Sequence, residues 1–307
     1  MKIVIIGAGA MGSVFGAKMS EAADILLINP TNNHTNEVIK NNLILEDPKG
    51  VKKKFKVKLL SDYKTVTDKF DAAIIFTKSY KTKEASYAAK KLLKKEGVAL
   101  TLQNGIGNFE IISSIVGEER TVAGVTAHGA TLVSAGYVRH AGVGDTYLAN
   151  KPNKKKIIEN LTEIFEKAGI KILMSDNINS IIWGKLIINV GINAVAAILK
   201  TKNGVIGAVP QSFKIVRNAA EEAVKIANAL KITLPFDEPL KQVKTVCKKT
   251  ANNKASMLQD ITNQKKTEIE FINGAIVDLG KKLNIPTPYN QILTEIVQAF
   301  EETYNKE

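Results

Sequence analysis

The chain has 307 residues, 45% of them hydrophobic and 24% charged, with one cysteine and a formal net charge of +13. That length admits two domains that each bury a core, and a mean hydropathy of -0.03 fits a globular protein rather than a disordered chain. The single cysteine, Cys247, excludes an internal disulfide and suits a cytoplasmic setting.

No membrane partner is expected. The longest apolar run, around 187–199, falls short of a bilayer span and is interrupted by Asn189 and Asn193. The first apolar segment is too short for a signal peptide. Nucleic acid is not expected either. The lysines of Lys90-Lys91, Lys94-Lys95 and Lys154–Lys156 read as solvated helix faces, few aromatics lie among them, and no helix-turn-helix, zinc or RNA-recognition pattern occurs.

In chain order, Ile3–Ile6 is a continuous apolar run, the signature of a buried parallel strand. Gly7-Ala8-Gly9-Ala10-Met11-Gly12 follows, a G-x-G-x-x-G dinucleotide pattern. Gly7 permits the tight turn, Gly9 lets a pyrophosphate approach the backbone, and Gly12 lets the next helix pack closely. That helix, from about Met11 to Ser20, points its free N–H groups at the phosphates. Further strands are predicted at Ile25–Ile28, Ala72–Phe76, Ala99–Leu102 and Thr121–Val125, with helices at Tyr80–Lys95 and Asn108–Val116 between them. Ala130–His140 with Asp145–Leu148 reads as a hairpin turning at Gly136, then a helix at Lys154–Ala168 and a strand at Ile170–Met174.

Around Ser175-Asp176-Asn177 the character changes. Helices are predicted at Ile178–Leu199, Gln211–Leu230, Pro239–Lys248, Ala255–Leu283 and Pro288–Asn305. The fold is therefore α/β: a doubly wound Rossmann-type sheet over residues 1–176, followed by an all-helical substrate domain over 177–307. A cleft between the two is the expected ligand site.

Within Trp183–Leu199, apolar nearly all round, Lys185, Asn189 and Asn193 recur at i, i+4 and i+8 on one face. One ammonium and two amides in such a helix are costly unless neighbours satisfy them or a ligand faces them. A second polar cluster runs from Asn253 through Ser256 to Asp260 and is followed by Thr267–Gly274. On a straight helix Glu268 would stand about a third of a turn from Ser256, so spacing alone does not unite them. Lys78 and Asn104 follow the third and fourth strands, where cofactor contacts are expected.

Together Gly7–Gly12, Thr77-Lys78, Gln103-Asn104-Gly105, Thr126-Ala127-His128, Trp183–Leu186 with Asn189 and Asn193, Asn203-Gly204, Ser256–Asp260 and Thr267–Gly274 resemble the 2-dehydropantoate 2-reductases, or ketopantoate reductases, within the group related to 6-phosphogluconate dehydrogenase. The resemblance spans nearly the whole chain. It implies reduction of 2-dehydropantoate to (R)-pantoate by NAD(P)H, in pantothenate and coenzyme A biosynthesis. Lys185 would donate the proton. Asn189, Asn193, Asn203 and Ser256 would hold the substrate's carboxylate and hydroxyl, and Asn104 and Asn253 are counted with them. Glu268 would act in catalysis and contact substrate or the cofactor ribose. Gly7, Ala8, Gly9, Ala10, Met11, Gly12, Lys78, Asn104 and Ala130 would contact the cofactor. No metal is expected, and a homodimer stays open.

One departure concerns Asn29–His34, after the second strand. It lacks both the arginine that grips the 2′-phosphate of NADP and the acidic residue that marks NAD. NADP(H) is favoured slightly over NAD(H), with Asn29, Thr31 and Asn32 as hydrogen-bond donors. Two alternatives stand beside this: a related dehydrogenase acting on another small 2-keto or 3-hydroxy acid, and a dinucleotide sensor without activity, for which the Lys185 ammonium has no use.

Overall fold

The first half's apolar runs form strands of a largely parallel sheet because helices cover both its faces. A computed structural model describes residues 1–304. It divides into two compact units, Met1–Gln103 with Asn108–Ile178, and Asn104–Gly107 with Asn179 onward. Four residues of the stretch 1–176, Asn104–Gly107, thus pack with the helical unit.

In chain order the first unit contains β1 (Lys2–Ile6), α1 (Ala10–Met19), β2 (Asp24–Ile28), α2 (Asn33–Asn41), β3 (Leu43–Glu46), β4 (Lys52–Phe55), β5 (Lys58–Leu60), β6 (Phe70–Ile75), α3 (Thr82–Leu92), β7 (Leu93–Thr101), α4 (Asn108–Val116), β8 (Thr121–Thr126), β9 (Gly129–Ser134), β10 (Tyr137–Gly142), β11 (Thr146–Ala149), α5 (Lys155–Lys167) and β12 (Ile172–Ser175). An eight-stranded sheet has the order β12-β11-β8-β7-β6-β1-β2-β5, with β11 antiparallel to β8. The strand period separates its cores. Ile3 and Ile5 join Phe15 and Phe165 on one side, while Val4 and Ile6 join Leu92 and Ile112 on the other.

A second sheet, β4-β3-β10-β9, was not foreseen. Its edge strand β4 is Lys52-Lys53-Lys54-Phe55, with only Phe55 buried. Lysines suit an exposed edge but erase the apolar signal of a strand. The predicted hairpin is present as β9 and β10, with Gly136 at φ +72° in the turn, but the segment expected to join it does not: β11 pairs with β8 and β12 in the large sheet. The predicted helix Tyr80–Lys95 ends at Leu92. Leu93 pairs with Phe70, and the Arg120 guanidinium takes the carbonyls of Lys94 and Gly97 at 2.7 and 2.9 Å, so Lys94 and Lys95 lie on a strand.

The second unit contains α6 (Ile178–Ile198), α7 (Asn203–Ala208), α8 (Pro210–Ala229), α9 (Pro239–Lys249), α10 (Ser256–Thr262), α11 (Asn273–Leu283) and α12 (Pro288–Thr303). The predicted end of the last helix, Asn305, lies outside the described residues. The predicted helix Ala255–Leu283 is instead two helices, with a single 3-10 turn at Ile269–Phe271 between them. Against the expectation of no run of spanning length, α6 has 21 residues and a mean hydropathy of 1.8 in its most apolar window, long and apolar enough to cross a membrane; 67% of that window is buried inside the protein. Single polar residues interrupt the run without lowering its mean far.

All three histidines are buried in the first unit. Two of them pack under α1, where the His128 ring meets Phe15 edge-on at 5.6 Å and stacks on His140 at 5.0 Å. His128 Nδ1 and His140 Nε2 lie 2.8 Å apart, so one ring donates to the other. His128 Nε2 is buried without a hydrogen-bond partner among the described residues. Burial first, then His140 and Lys18, push the His128 pKa down to about 4, against the pull of Asp145. Burial also lowers His140, with Lys18 in the same direction.

The folded chain therefore keeps the pair neutral, whereas the unfolded chain takes up protons below about pH 6.5. Above that pH the pair leaves stability independent of pH. Between pH 6.5 and about 4, stability should fall by on the order of 1–2 kcal/mol, allowing for water that still reaches the rings. Thermal unfolding followed from pH 7 to pH 4 checks this, and a His128→Gln chain should lose less over the same range.

Candidate active site

In the first unit the glycine loop is shaped by contacts that leave no room for side chains. Gly7 takes φ +100°, its N–H donates to Ile28 O at 2.8 Å, and a Cβ there would stand 2.5 Å from Thr77 N. A Cβ on Gly12 would stand 2.0 Å from Gly7 O. At Gly9 the situation is reversed: the residue is exposed and nothing lies within 4 Å of a Cβ. Gly9 is the N-cap of α1, whose first N–H groups, at Ala10, Met11 and Gly12, face away from any intrahelical acceptor. A dinucleotide fits this cradle, since the protein itself requires glycine at positions 7 and 12 and leaves position 9 open for a phosphate.

At the ends of β6 and β7, Gln103 Nε2 donates to Thr77 O at 2.7 Å and Thr82 Oγ1 at 2.8 Å. Thr82 donates to Asn108 Oδ1 at 2.7 Å, and Asn108 Nδ2 to Ser79 at 3.2 Å. This network fixes the Thr77-Lys78 segment beside the end of β7. Ala130, partly buried, is the second residue of β9. The loop after β2 differs from its expected use. Asn29 Nδ2 is spent on Thr35 Oγ1 at 2.8 Å, and Asn32 Oδ1 caps α2 by accepting from Thr35 N at 2.9 Å. Thr31 remains exposed.

In the second unit, α6 carries Lys185, Asn189 and Asn193 on one face, with Asn193 buried. Lys185 is partly buried as a whole residue, and burial dominates the environment of its amine. Burial pushes that amine down to about 8, while the Glu268 carboxylate acts in the opposite direction. Glu268 is itself buried. The structure brings Lys185 and Glu268 into one environment although 83 residues separate them in sequence. It does not put Glu268 on the helix of Ser256. Ser256 opens α10, and Glu268 lies beyond that helix's end.

Asn203 and Asn253 also meet, the Asn203 N–H donating to Asn253 O at 3.1 Å. The Asn203 Nδ2 donates to Thr250 Oγ1 at 2.9 Å, leaving its Oδ1 buried without a partner among the described residues. Asn104 belongs to the short segment Asn104–Gly107, which docks on the Glu268 neighbourhood. Ile106 N donates to Phe271 O at 3.1 Å, and Gly105, at φ +80°, has no space for a Cβ against that same oxygen.

Sequence reasoning gave no role to the residues that hold this arrangement. Asn273 Nδ2 donates to Val190 O on α6 at 3.0 Å and to Asn290 Oδ1 at 2.9 Å. Asn290 Nδ2 donates to Glu222 Oε2 at 2.7 Å, and Glu222 also accepts the N–H groups of Tyr289 and Asn290 in the first turn of α12. Three helices, α8, α11 and α12, are thus tied to the helix of Lys185. The placement of Asn273 within the Thr267–Gly274 motif was the only available signal.

Among the described residues, no group of three or more His, Cys, Asp or Glu side chains could hold a metal ion. Cys247 is buried, and burial pushes its thiol up to about 11, so it stays protonated and unreactive.

Two family models match the chain. The model described as "Ketopantoate reductase PanE/ApbA" covers residues 3–153, and "Ketopantoate reductase PanE/ApbA C terminal" covers residues 177–301. The 2-dehydropantoate 2-reductase of Pyrococcus horikoshii is 35% identical over 98% of each chain. Among solved structures, D-mandelate dehydrogenase with NADH and anilino(oxo)acetate superposes with a TM-score of 0.91 at 32% identity, over 99% of this chain and 100% of that one. The PanE/ApbA family ketopantoate reductase from Ralstonia eutropha JMP134 gives 0.90 at 30% identity, over 99% of each chain.

Because Glu268 opposes the effect of burial on Lys185, its removal has a defined sign. Glu268→Gln should lower the titration midpoint of Lys185 below about 8, leaving less ammonium at neutral pH. Nuclear magnetic resonance of labelled lysine side chains reads this directly. A midpoint that stays put would separate the two residues.

Proposed function

The chain belongs to the ketopantoate reductase family, and from that premise we propose that it reduces 2-dehydropantoate to (R)-pantoate, a step toward pantothenate and coenzyme A. The observation that carries the reading is the buried amine of Lys185, on one helix face with Asn189 and Asn193 and in the field of Glu268. A structural seam needs no ammonium, and an ammonium without a task costs stability in such a helix. A reduced nicotinamide dinucleotide, when bound, supplies the hydride for the keto carbon.

The chain's own residues do the rest. Lys185 Nζ holds a proton and delivers it to the carbonyl oxygen as negative charge develops there. A pKa of about 8 keeps it mostly charged at neutral pH yet ready to release the proton. Glu268 sustains that charge. Asn189, Asn193 and Ser256 offer donors for the substrate's carboxylate, and Asn104 and Asn253, in the same unit, are assigned to substrate with them. Asn203 Oδ1 is an acceptor lacking a donor. A hydroxyl can supply one, a carboxylate cannot, and 2-dehydropantoate carries both.

On the nucleotide side, Gly7–Gly12 hold the pyrophosphate by backbone N–H groups, with Lys78 and Ala130 beside them. The preference we assign is for NADP(H) over NAD(H), by a small margin. The loop after β2 presents no charge of either sign to the ribose. The net charge of +13 favours the more anionic nucleotide.

Oxidation of NADPH and NADH measured with 2-dehydropantoate and with a panel of other small 2-keto acids tests the activity. Efficient turnover of a different acid alone would replace the substrate. Lys185→Ala should cut the turnover number by about 10²–10⁴ while nucleotide still binds; near-normal turnover would remove Lys185 from the mechanism. For the nucleotide, catalytic efficiencies should differ by about tenfold to a hundredfold or less, narrow as salt screens the charge, and widen in favour of NADPH in Thr31→Arg. A thousandfold preference for NADH would contradict both the margin and its cause.

A further inference from the structure

His34 is 5% exposed at the start of α2, in the loop after β2, and its two ring nitrogens reach two other segments of the first unit. The backbone N–H of Gly136 donates to Nδ1 at 3.1 Å. A neutral ring that accepts at Nδ1 carries its proton on Nε2. Nε2 lies 3.1 Å from Ser13 Oγ. The Ser13 hydroxyl therefore accepts from the ring and donates its own proton to Ala8 O, also at 3.1 Å. One backbone N–H at the hairpin turn thus sets the direction of every bond from Gly136 through His34 and Ser13 to Ala8.

The near end of this relay is anchored. Gly136 O accepts from Ile44 N at 2.8 Å, and the Glu37 side chain occupies the space a Cβ would need. The far end lies in the glycine loop. Ala8 C=O and Gly9 N–H belong to one peptide plane. Among the described residues there are no cis peptide bonds, so the two groups point in opposite directions. Ser13, buried beneath the loop, draws the carbonyl inward. The same bond turns the Gly9 N–H outward, on the side where Gly9 is exposed and open.

We propose that His34 is a positioning residue for dinucleotide binding, acting through Ser13 to hold the Ala8–Gly9 peptide with its N–H presented to the pyrophosphate. The proposal rests on the reading that Gly7–Gly12 form the phosphate site. It gives a buried polar group in the ribose-side loop a task that does not depend on touching the ribose. It also accounts for a buried histidine beside a loop that has no arginine or acidic side chain.

The test is the dissociation constant of NADPH, measured by titration calorimetry on the full chain. Ser13→Ala and His34→Ala should each weaken binding about threefold to tenfold, the weight of one buried hydrogen bond. The double variant should be no worse than the weaker single one, because both act on the same carbonyl. His34→Gln, whose amide can still donate toward Ser13, should recover binding. His34→Asn, too short to do so, should not; this pair decides the matter if His34→Ala fails to fold. In steady state the loss should fall on the KM of the nucleotide and spare that of the keto acid. Coupling below about twofold, or a Gln variant no better than Asn, overturns the relay. Gly9→Asp separates the two readings: if it still binds NADPH as the parent does, the phosphate-site reading falls and takes the relay with it. If it loses binding while the Ser13 and His34 variants bind normally, the relay alone falls.

Discussion

A single buried amine governs the helical unit. Lys185 sits in a helix apolar enough to pass for a membrane segment, and water is the medium its ammonium prefers. The unit compensates by bringing a carboxylate to it from far along the chain. For Glu268 to arrive there, the chain must break its helix after Thr262 and turn at Ile269–Phe271. It must then be tied to α6 by the amide of Asn273. A longer, straighter helix would be easier to form locally but would carry Glu268 elsewhere. The irregular segment 263–272 is the structural cost of that one electrostatic pairing.

The Glu222–Asn290–Asn273 network shows a related economy. Among the described residues Glu222 has no cation as a hydrogen-bond partner; it accepts from two backbone N–H groups and an amide at the start of α12. A helix N-terminus stabilises a carboxylate by its own dipole. Burial is tolerated because both carboxylate oxygens accept hydrogen bonds. The same network reaches α6 through neutral amides, which transmit position without adding another charge near Lys185.

What was legible in the sequence follows the physics of each segment. Ile3–Gly12 could be read because a strand buried on both faces and a crowded turn each demand particular residues. Lys185, Asn189 and Asn193 stood out because polar groups in an apolar helix are improbable. The edge strands β4 and β5 were not legible, since edge strands carry lysine to stay apart from other chains and so lose their alternation, whereas β3, an inner strand of the second sheet, is only four residues long. The break between α10 and α11 left no proline or glycine signal at Thr262–Gln264; tertiary pairing set it. Asn273 and Glu222 were silent because amides and carboxylates announce nothing until their partners are known. The loop after β2 was legible in composition only, and its amides proved to be capping and bracing their own backbone.

The apolar helix α6 carries one more implication. While the chain is being made, those 21 residues emerge before α8, α9, α11 and α12 exist to cover them. Until then the segment is a sticky rod, as ready to adhere to a lipid surface or to another unfinished chain as to its own unit. Lys185, Asn189 and Asn193 make that rod less greasy along one side. The three polar side chains thereby also weaken the nascent segment's tendency to misassemble.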